Sequence, residues 1–189
     1  MREPKIRRLW SWTCSFLILA AGVGGFTALI VFVHPHEKVA ISDANLTHFE
    51  LAASQTTLFY NLSFTMKIHK YFHASYRDME VDCYYNNKNF DSRKLGDLKL
   101  KAWRTRLLNL TSNGNSTIDL GSNGVSAFKR SNETGFFDLE IRPIGKRITY
   151  DENGDDDVKK LSYQCKLRLE LVKSHNSTTQ GNFKPVKCH

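Results

Sequence analysis

The sequence lacks the short motifs that mark the common enzyme and nucleotide-binding classes. It has no G-x-S-x-G element, no cysteine–histidine arrangement in a catalytic context, and no glycine-rich phosphate loop after a strand. These absences exclude the best-known routes to nucleophilic catalysis and phosphate binding. We therefore expect a protein that is not an enzyme, with no catalytic residue and no cofactor.

A complete metal-ligand set is also missing. The acidic run DENGDDD, from Asp151 to Asp157, has carboxylates that suit calcium, but Gly154 comes too early for the calcium loop of helix-loop-helix proteins. We interpret the run as a charged hairpin turn. His34 and His36 resemble a chelating pair, but no third ligand lies near them in the sequence. No metal site is predicted.

Acidic residues are fewer than basic ones, with 19 Asp and Glu against 27 Lys and Arg. Such a charge would ordinarily suggest nucleic acid, but paired zinc ligands and a stacking-aromatic motif are absent. Several cations instead alternate with apolar residues: Lys99, Lys101, Lys166 and Arg168. This favours a solvated sheet face, with contact to an acidic polymer or a lipid surface as the alternative. No nucleic-acid partner is predicted.

One long run without any charge extends from Leu9 to Val33. As a helix, its roughly 25 residues would rise about 37 Å, enough to cross a bilayer. Basic residues precede this run, so the positive-inside rule places the N-terminus in the cytosol and the chain after Val33 outside. A cleaved signal peptide is the alternative, but cleavage after Ala20-Ala21-Gly22 would leave a second apolar run on a soluble protein.

These observations predict three parts of the chain. Residues 1–8 form a cytosolic basic tail, residues 9–33 form a transmembrane signal anchor, and residues 34–189 form an extracellular or lumenal domain. The anchor would provide the contact with membrane lipid. Its small-x-x-x-small patterns, which begin at Ala20 and Ala21, are compatible with pairing into a homo- or hetero-oligomer.

After the span, helical periodicity is absent and apolar residues alternate with polar ones. The alternating segments are Val39–Leu51, Leu58–Ile68, Asp78–Tyr85, Leu98–Trp103, Phe137–Ile141 and Leu161–Val172. Polar turn clusters such as NNKN and SNETG separate them. This pattern predicts a mainly β domain, an antiparallel β-sandwich of about seven strands.

Six acceptor triplets for N-linked glycan follow the span. Their asparagines are Asn45, Asn61, Asn109, Asn115, Asn132 and Asn176. A glycan needs the secretory lumen and a solvent-facing asparagine, so six triplets in one domain favour a lumenal address. Asn61 lies on the polar side of the segment LFYNLSFTMKI, which predicts an outward-facing side chain.

Three cysteines follow the span, so at least one is free or paired between chains. Cys83 lies on the apolar side of its segment and is interpreted as a buried thiol. Cys165 and Cys188 flank a polar loop, and a disulfide between them would pin the C-terminal segment to the last strand. We predict this pair, with Cys83–Cys165 as the alternative.

The order of these features resembles the plant NHL family, named for non-race-specific disease resistance and harpin-induced-like proteins, with its group-2 late-embryogenesis-abundant domain. The run from Tyr84 to Phe90, YYNNKNF, is similar to a family element, YYDGQ(R/K)F, with altered turn residues. Cys165 matches a late-strand cysteine of the family and Cys188 a terminal one. The chain departs from the family at Lys67-Ile68-His69, where an N-P-N element is usual.

The resemblance implies a fibronectin-III-like sandwich on a plasma-membrane anchor, with the domain outside the cell. It also implies a non-enzymatic role in plant defence signalling, exercised through protein partners or an acidic polymer of the cell wall. A stress-protective protein that stabilises membranes during dehydration is the alternative.

Overall fold

The computed structural model describes residues 37–70, 73–150, 156–172 and 183–189, and the statements below refer to these residues. The predicted tail 1–8 and anchor 9–33 lie outside them, as do His34, His36, Asn176 and most of the acidic run at 151–157. Within the described ranges, no helix combines the length and apolar character needed to cross a membrane.

Nine strands and one helix make up the described part of the chain, rather than about seven strands. The strands are β1 Lys38–Leu51, β2 Thr57–Lys70, β3 Ala74–Tyr85, β4 Lys88–Leu100, β5 Arg104–Thr117, β6 Phe136–Tyr150, β7 Asp156–Ser162, β8 Cys165–Glu170 and β9 Val186–Lys187. The helix, α1, spans Gly121–Thr134 between β5 and β6. The prediction of a mainly β domain is confirmed.

The strands form two sheets that pack face to face. One sheet has the order β5-β2-β1-β9, and the other has the order β4-β3-β6-β7, with β8 also paired to β6. Every strand pairing is antiparallel. We refer to the end of the sandwich where β1, β3 and β5 begin as the entry end, and to the opposite end, which holds α1, as the helix end.

The alternation of β2 explains how the sequence forms this sandwich. Its six inward residues are all buried: Leu58, Tyr60, Leu62, Phe64, Met66 and Ile68. The residues between them are exposed or half-buried and form the outer face of the sheet. A two-residue period places alternate side chains on opposite faces, so this segment buries one face and leaves the other in solvent.

Two predicted strands are divided in the structure. The segment Leu98–Trp103 contains the end of β4 and a turn, and Trp103 lies exposed in that turn. The segment from Leu161 is broken between β7 and β8, where Gln164 exchanges backbone hydrogen bonds with His189 instead of with β6. Pro143 of β6, which lacks an N–H donor, lies beside this break and accepts a bond from Tyr163.

The expectation that no helix follows the span was wrong, because α1 has few apolar residues to mark a helical period. Its sequence, GSNGVSAFKRSNET, is rich in Ser, Asn and Gly, which are weak helix formers. Only Gly124 and Phe128 are buried. Phe128 stacks on Phe49 with ring centroids 5.8 Å apart, and Gly135 ends the helix in the left-handed conformation. Tertiary packing therefore stabilises a helix that local pattern does not predict.

Phe49 of β1 lies at the centre of an aromatic cluster near the helix end. Its ring centroid is 4.9 Å from that of Phe137, 5.4 Å from Tyr85 and 5.7 Å from Phe90, all in the opposite sheet. Edge-to-face contacts of this kind add to the free energy gained by burying the rings. The cluster therefore holds the two sheets and α1 together.

Replacing Phe49 with alanine should lower the free energy of unfolding by about 3–5 kcal/mol, because the change removes a 2% exposed side chain and leaves a cavity. Urea denaturation of the full chain in detergent would measure this. Phe59→Ala is the matched control, since Phe59 is 39% exposed on the outer face, and we expect less than about 1 kcal/mol there. Equal losses in the two variants would contradict the assignment of Phe49 to the core.

Candidate interaction surfaces

Four predicted glycan acceptors lie on the outer face of one sheet. Asn45 of β1, Asn61 of β2, and Asn109 and Asn115 of β5 are all exposed. The strand register brings them onto neighbouring positions: Asn45 is opposite Ser63, Asn109 opposite Thr65, and Asn115 opposite Phe59. We call these four residues the asparagine face.

Of the two remaining acceptors, only Asn132 lies within the described residues, and it is not on a sheet. Asn132 is exposed near the end of α1, and Asn176 lies outside the described residues. Among the described acceptors, none belongs to the sheet formed by β4, β3, β6, β7 and β8. Glycans on the asparagine face would therefore cover the outer side of the sheet formed by β5, β2 and β1.

The four cations predicted to share a face lie in two separate regions. Lys99 is opposite Ser75 and Lys101 follows β4, both at the entry end. Lys166 is opposite Glu140 and Arg168 opposite Asp138, in the half of β6 nearer the helix end. All four are exposed, as predicted, but their distance along the sheet and the facing carboxylates prevent one continuous basic patch.

The predicted disulfide is present between Cys165 and Cys188. Cys165 begins β8 in one sheet, while Cys188 follows β9 in the other, and its backbone N–H bonds to the carbonyl of Val39 in β1. The bond therefore crosslinks the two sheets as well as pinning the C-terminal segment. A closed loop with a sequence separation of 23 residues reduces the freedom of the unfolded chain.

Cys83 is a free, buried cysteine on the inner face of β3. Burial raises the pKa of its thiol to about 12, and the negative charge of Asp91 adds to the shift. Because the thiolate is the reactive form, Cys83 stays unreactive near neutral pH. The interpretation of this residue as a small buried hydrophobe agrees with its position.

A buried ionic cluster at the entry end was missed in the sequence analysis. Glu37 accepts hydrogen bonds from Lys70 Nζ at 2.7 Å, from the Tyr76 hydroxyl at 2.7 Å, and from the Tyr163 hydroxyl. Arg147 Nη1 lies 4.0 Å from the same carboxylate. Lys70 occupies the inward position that follows Ile68 in the alternation of β2, and a lysine at such a position could have indicated a buried partner.

Burial alone would raise the pKa of Glu37, but the hydrogen bonds from Lys70, Tyr163 and Tyr76 outweigh it and hold the pKa below its ordinary value. Burial, together with the bond to Glu37, raises the pKa of both Tyr76 and Tyr163. The carboxylate is therefore charged and both hydroxyls are neutral donors at physiological pH.

A cavity of about 310 Å³ lies beside the break between β7 and β8 and is lined by Arg142, Ser162, Tyr163, Gln164 and His189. Arg142 bonds to Glu140 and lies over the ring of Tyr84, with 4.0 Å between the guanidinium carbon and the ring centroid. Within the described ranges, no group of three or more His, Cys, Asp or Glu side chains is placed to hold a metal ion. We assign no catalytic role to this cavity.

Fold and surface together define a disulfide-crosslinked antiparallel β-sandwich that exposes glycan acceptors on one face. The chain is 25% identical to NDR1/HIN1-like protein 10 of Arabidopsis thaliana over 178 residues. The aligned region covers 91% of this chain and 78% of that protein. This relative confirms the predicted resemblance to the NHL proteins. No family model matches the chain.

Three solved structures show a weak similarity to the chain. A protein from Archaeoglobus fulgidus covers 70% of this chain and 99% of its own, with 8% identity and a TM-score of 0.30. The similarity to a solution structure of an Arabidopsis thaliana protein covers 74% of this chain and 85% of that protein, with 10% identity and a TM-score of 0.37. The similarity to the solution structure of a late embryogenesis abundant protein covers 91% of this chain and 92% of that protein, with 11% identity and a TM-score of 0.32.

Removing the disulfide by changing Cys165 and Cys188 to alanine should lower the free energy of unfolding by about 2–4 kcal/mol, because the unfolded chain gains freedom. Urea denaturation would measure the loss. Peptide mapping of the unreduced protein should recover the two cysteines in one linked peptide, whereas a peptide that links Cys83 to Cys165 would overturn the assignment.

Replacing Glu37 with glutamine should cost about 3–5 kcal/mol at neutral pH, because Lys70 would keep a buried charge without its partner. Since the folded pKa of Glu37 lies below its ordinary value of 4.5, its contribution is full above that pH and is lost as the pH falls through the folded pKa.

The unfolding free energy of the original chain should therefore fall below about pH 4.5 more steeply than that of the Glu37→Gln variant. Glu50→Gln is the matched control, because Glu50 is exposed on the same strand. Parallel pH profiles for the original chain and the Glu37→Gln variant would show that Glu37 does not carry this dependence.

Proposed function

We propose that the chain is a membrane-anchored, non-enzymatic glycoprotein of the NHL kind that acts in plant defence signalling. Its domain would lie outside the cell and act through protein partners at the plasma membrane and cell wall. The anchor is the predicted span at 9–33, and the carbohydrate would be attached at the acceptor asparagines. The similarity to NDR1/HIN1-like protein 10 supports the proposal.

The observation that carries the proposal is the asparagine face. Four acceptor triplets share one outer sheet face, and every one of their asparagines is exposed in the folded domain. A glycan on any of them would extend into solvent without disturbing the core. The disulfide between Cys165 and Cys188 supports the same compartment, because disulfides persist in oxidising environments.

The strand order supports the finer assignment to a fibronectin-III-like sandwich. In that arrangement the first, second and fifth strands form one sheet, and the third, fourth, sixth and seventh form the other. Here β5, β2 and β1 share one sheet, and β4, β3, β6 and β7 share the other. The short β9 adds to β1, and β8 extends the edge that β7 forms along β6.

The distribution of the acceptors also supports a binding function. The outer face of the sheet that contains β3 and β6 has no acceptor among the described residues, and it carries both acidic and basic groups, including Asp82, Glu140 and Arg142. Protein partners would reach this face without meeting carbohydrate attached to the asparagine face. The proposed mechanism is therefore presentation of a binding face by an anchored sandwich.

Protease protection on sealed microsomes, followed by deglycosylation, tests the topology and the modification together. We expect a protected domain whose mass falls by several glycans, and stepwise smaller losses when Asn45, Asn61, Asn109 and Asn115 are changed to glutamine one at a time. Asn113→Gln is the matched control, because Asn113 is exposed on the same face outside any acceptor triplet. A digested domain without a mass shift would contradict the proposal.

A further inference from the structure

The turn between β4 and β5 concentrates positive charge around an exposed tryptophan. The segment from Lys99 to Arg106 reads KLKAWRTR and contains no acidic residue. It connects an edge strand of one sheet to an edge strand of the other. We call Lys99, Lys101, Trp103, Arg104 and Arg106 the basic turn; all five are exposed.

Trp103 combines high exposure with an unfavourable backbone conformation. Its residue surface is 70% exposed, the largest fraction among the exposed large hydrophobic residues of the described chain, and its φ of 57° lies in the left-handed region. Glycine adopts this region without steric cost, whereas a bulky residue there is an outlier. The exposure of Trp103 leaves most of its apolar side chain open to contact from outside the domain.

The cations of the basic turn keep their charge available. Within the described residues, no carboxylate forms a salt bridge with Lys99, Lys101, Arg104 or Arg106. The cations of β8, in contrast, lie opposite acidic residues of β6, as Lys166 does with Glu140. Phosphate groups are suitable partners for clustered lysine and arginine side chains.

The position of the turn indicates which phosphate-bearing surface it would meet. It lies at the entry end, where β1 begins at Lys38, five positions after the last residue of the predicted anchor. A chain of five residues spans at most about 18 Å, so the entry end is tethered close to any bilayer that holds the anchor. Tryptophan is enriched at both membrane–water interfaces, and lysine and arginine side chains can extend their charged ends to the level of the lipid phosphates.

We propose that the basic turn binds the phospholipid headgroup layer of the membrane that anchors the chain. Trp103 enters the interface, and Lys99, Lys101, Arg104 and Arg106 contact lipid phosphates. This contact orients the sandwich on the membrane and keeps the helix end outward. The inference rests on the proposed function, because it requires that residues 9–33 span the bilayer.

Fluorescence of Trp103 in nanodiscs tests the inference on the full chain. Changing Trp10 and Trp12 to phenylalanine leaves Trp103 as the only tryptophan, since the chain has three. Nanodiscs of phosphatidylcholine with phosphatidylglycerol would carry a headgroup-labelled nitroxide lipid as quencher. We expect strong quenching that weakens as salt is added, because screening reduces the attraction between the cations and the phosphates.

Charge reversal separates binding from mere tethering. Changing Lys101, Arg104 and Arg106 to glutamate should remove more than half of the quenching, since each cation near an anionic surface contributes a factor of roughly five in binding. The matched control changes three exposed cations at the helix end to glutamate: Lys88, Lys129 and Arg130. This control variant should leave the quenching unchanged. Equal urea midpoints for the two variants would show that folding is retained.

A second variant does not depend on charge. Trp103→Gly should keep the turn, because glycine adopts the backbone conformation of this position without steric cost. Because the variant loses the lipid contact, tryptic cleavage at Lys101 and Arg104 in nanodiscs should accelerate towards the rate in detergent. Unchanged protection would overturn the role of Trp103.

The remaining outcomes are distinct. If the chain does not enter nanodiscs, the proposed anchor fails together with this inference. If it enters but Trp103 is not quenched, only the lipid contact is wrong. If soluble polygalacturonate changes Trp103 fluorescence while lipid does not, the basic turn binds an acidic polymer and the proposal is overturned.

Discussion

The carboxylate of Glu37 is the interaction on which the entry end of the domain depends. Lys70 comes from β2, Tyr76 from β3 and Tyr163 from the break between β7 and β8, so groups from both sheets converge on one buried charge. A buried carboxylate without such partners would be strongly unfavourable, which makes these contacts mutually dependent. Glu37, the first described residue of the domain and four positions after the end of the predicted anchor, is thereby fixed to both sheets.

The C-terminal segment reinforces the same region. Strand β9 adds to β1, the backbone of His189 pairs with Gln164, and Cys188 is bonded to Cys165. Both ends of the domain are therefore held between the sheets at one end of the sandwich, while the cluster around Phe49 closes the opposite end. One outer face carries the asparagines, and the corner between the sheets carries the basic turn.

Most of the inward and outward residues could be predicted from the sequence. The alternation of β2 holds along its whole length, and the inward positions Cys165, Leu167 and Leu169 are all buried even though their segment is interrupted. The exposure of the asparagines follows from the same period. The break at Gln164 could not be predicted, because it depends on Pro143 and on the C-terminal segment. The helix α1 was missed because its one large buried side chain, Phe128, finds its partner in β1.

The sequence by itself determined the two-residue period, the inner and outer faces of the strands, and the separation of polar turns from apolar segments. These are local properties, since each side chain alternates with its neighbours along the backbone. Only the tertiary structure decided which faces lie side by side. It brought four distant asparagines onto one sheet and left Trp103 exposed among cations. It also placed Tyr163 beside Glu37, 126 positions earlier in the chain. Contacts between residues so far apart depend on how the whole chain packs, which no local pattern specifies.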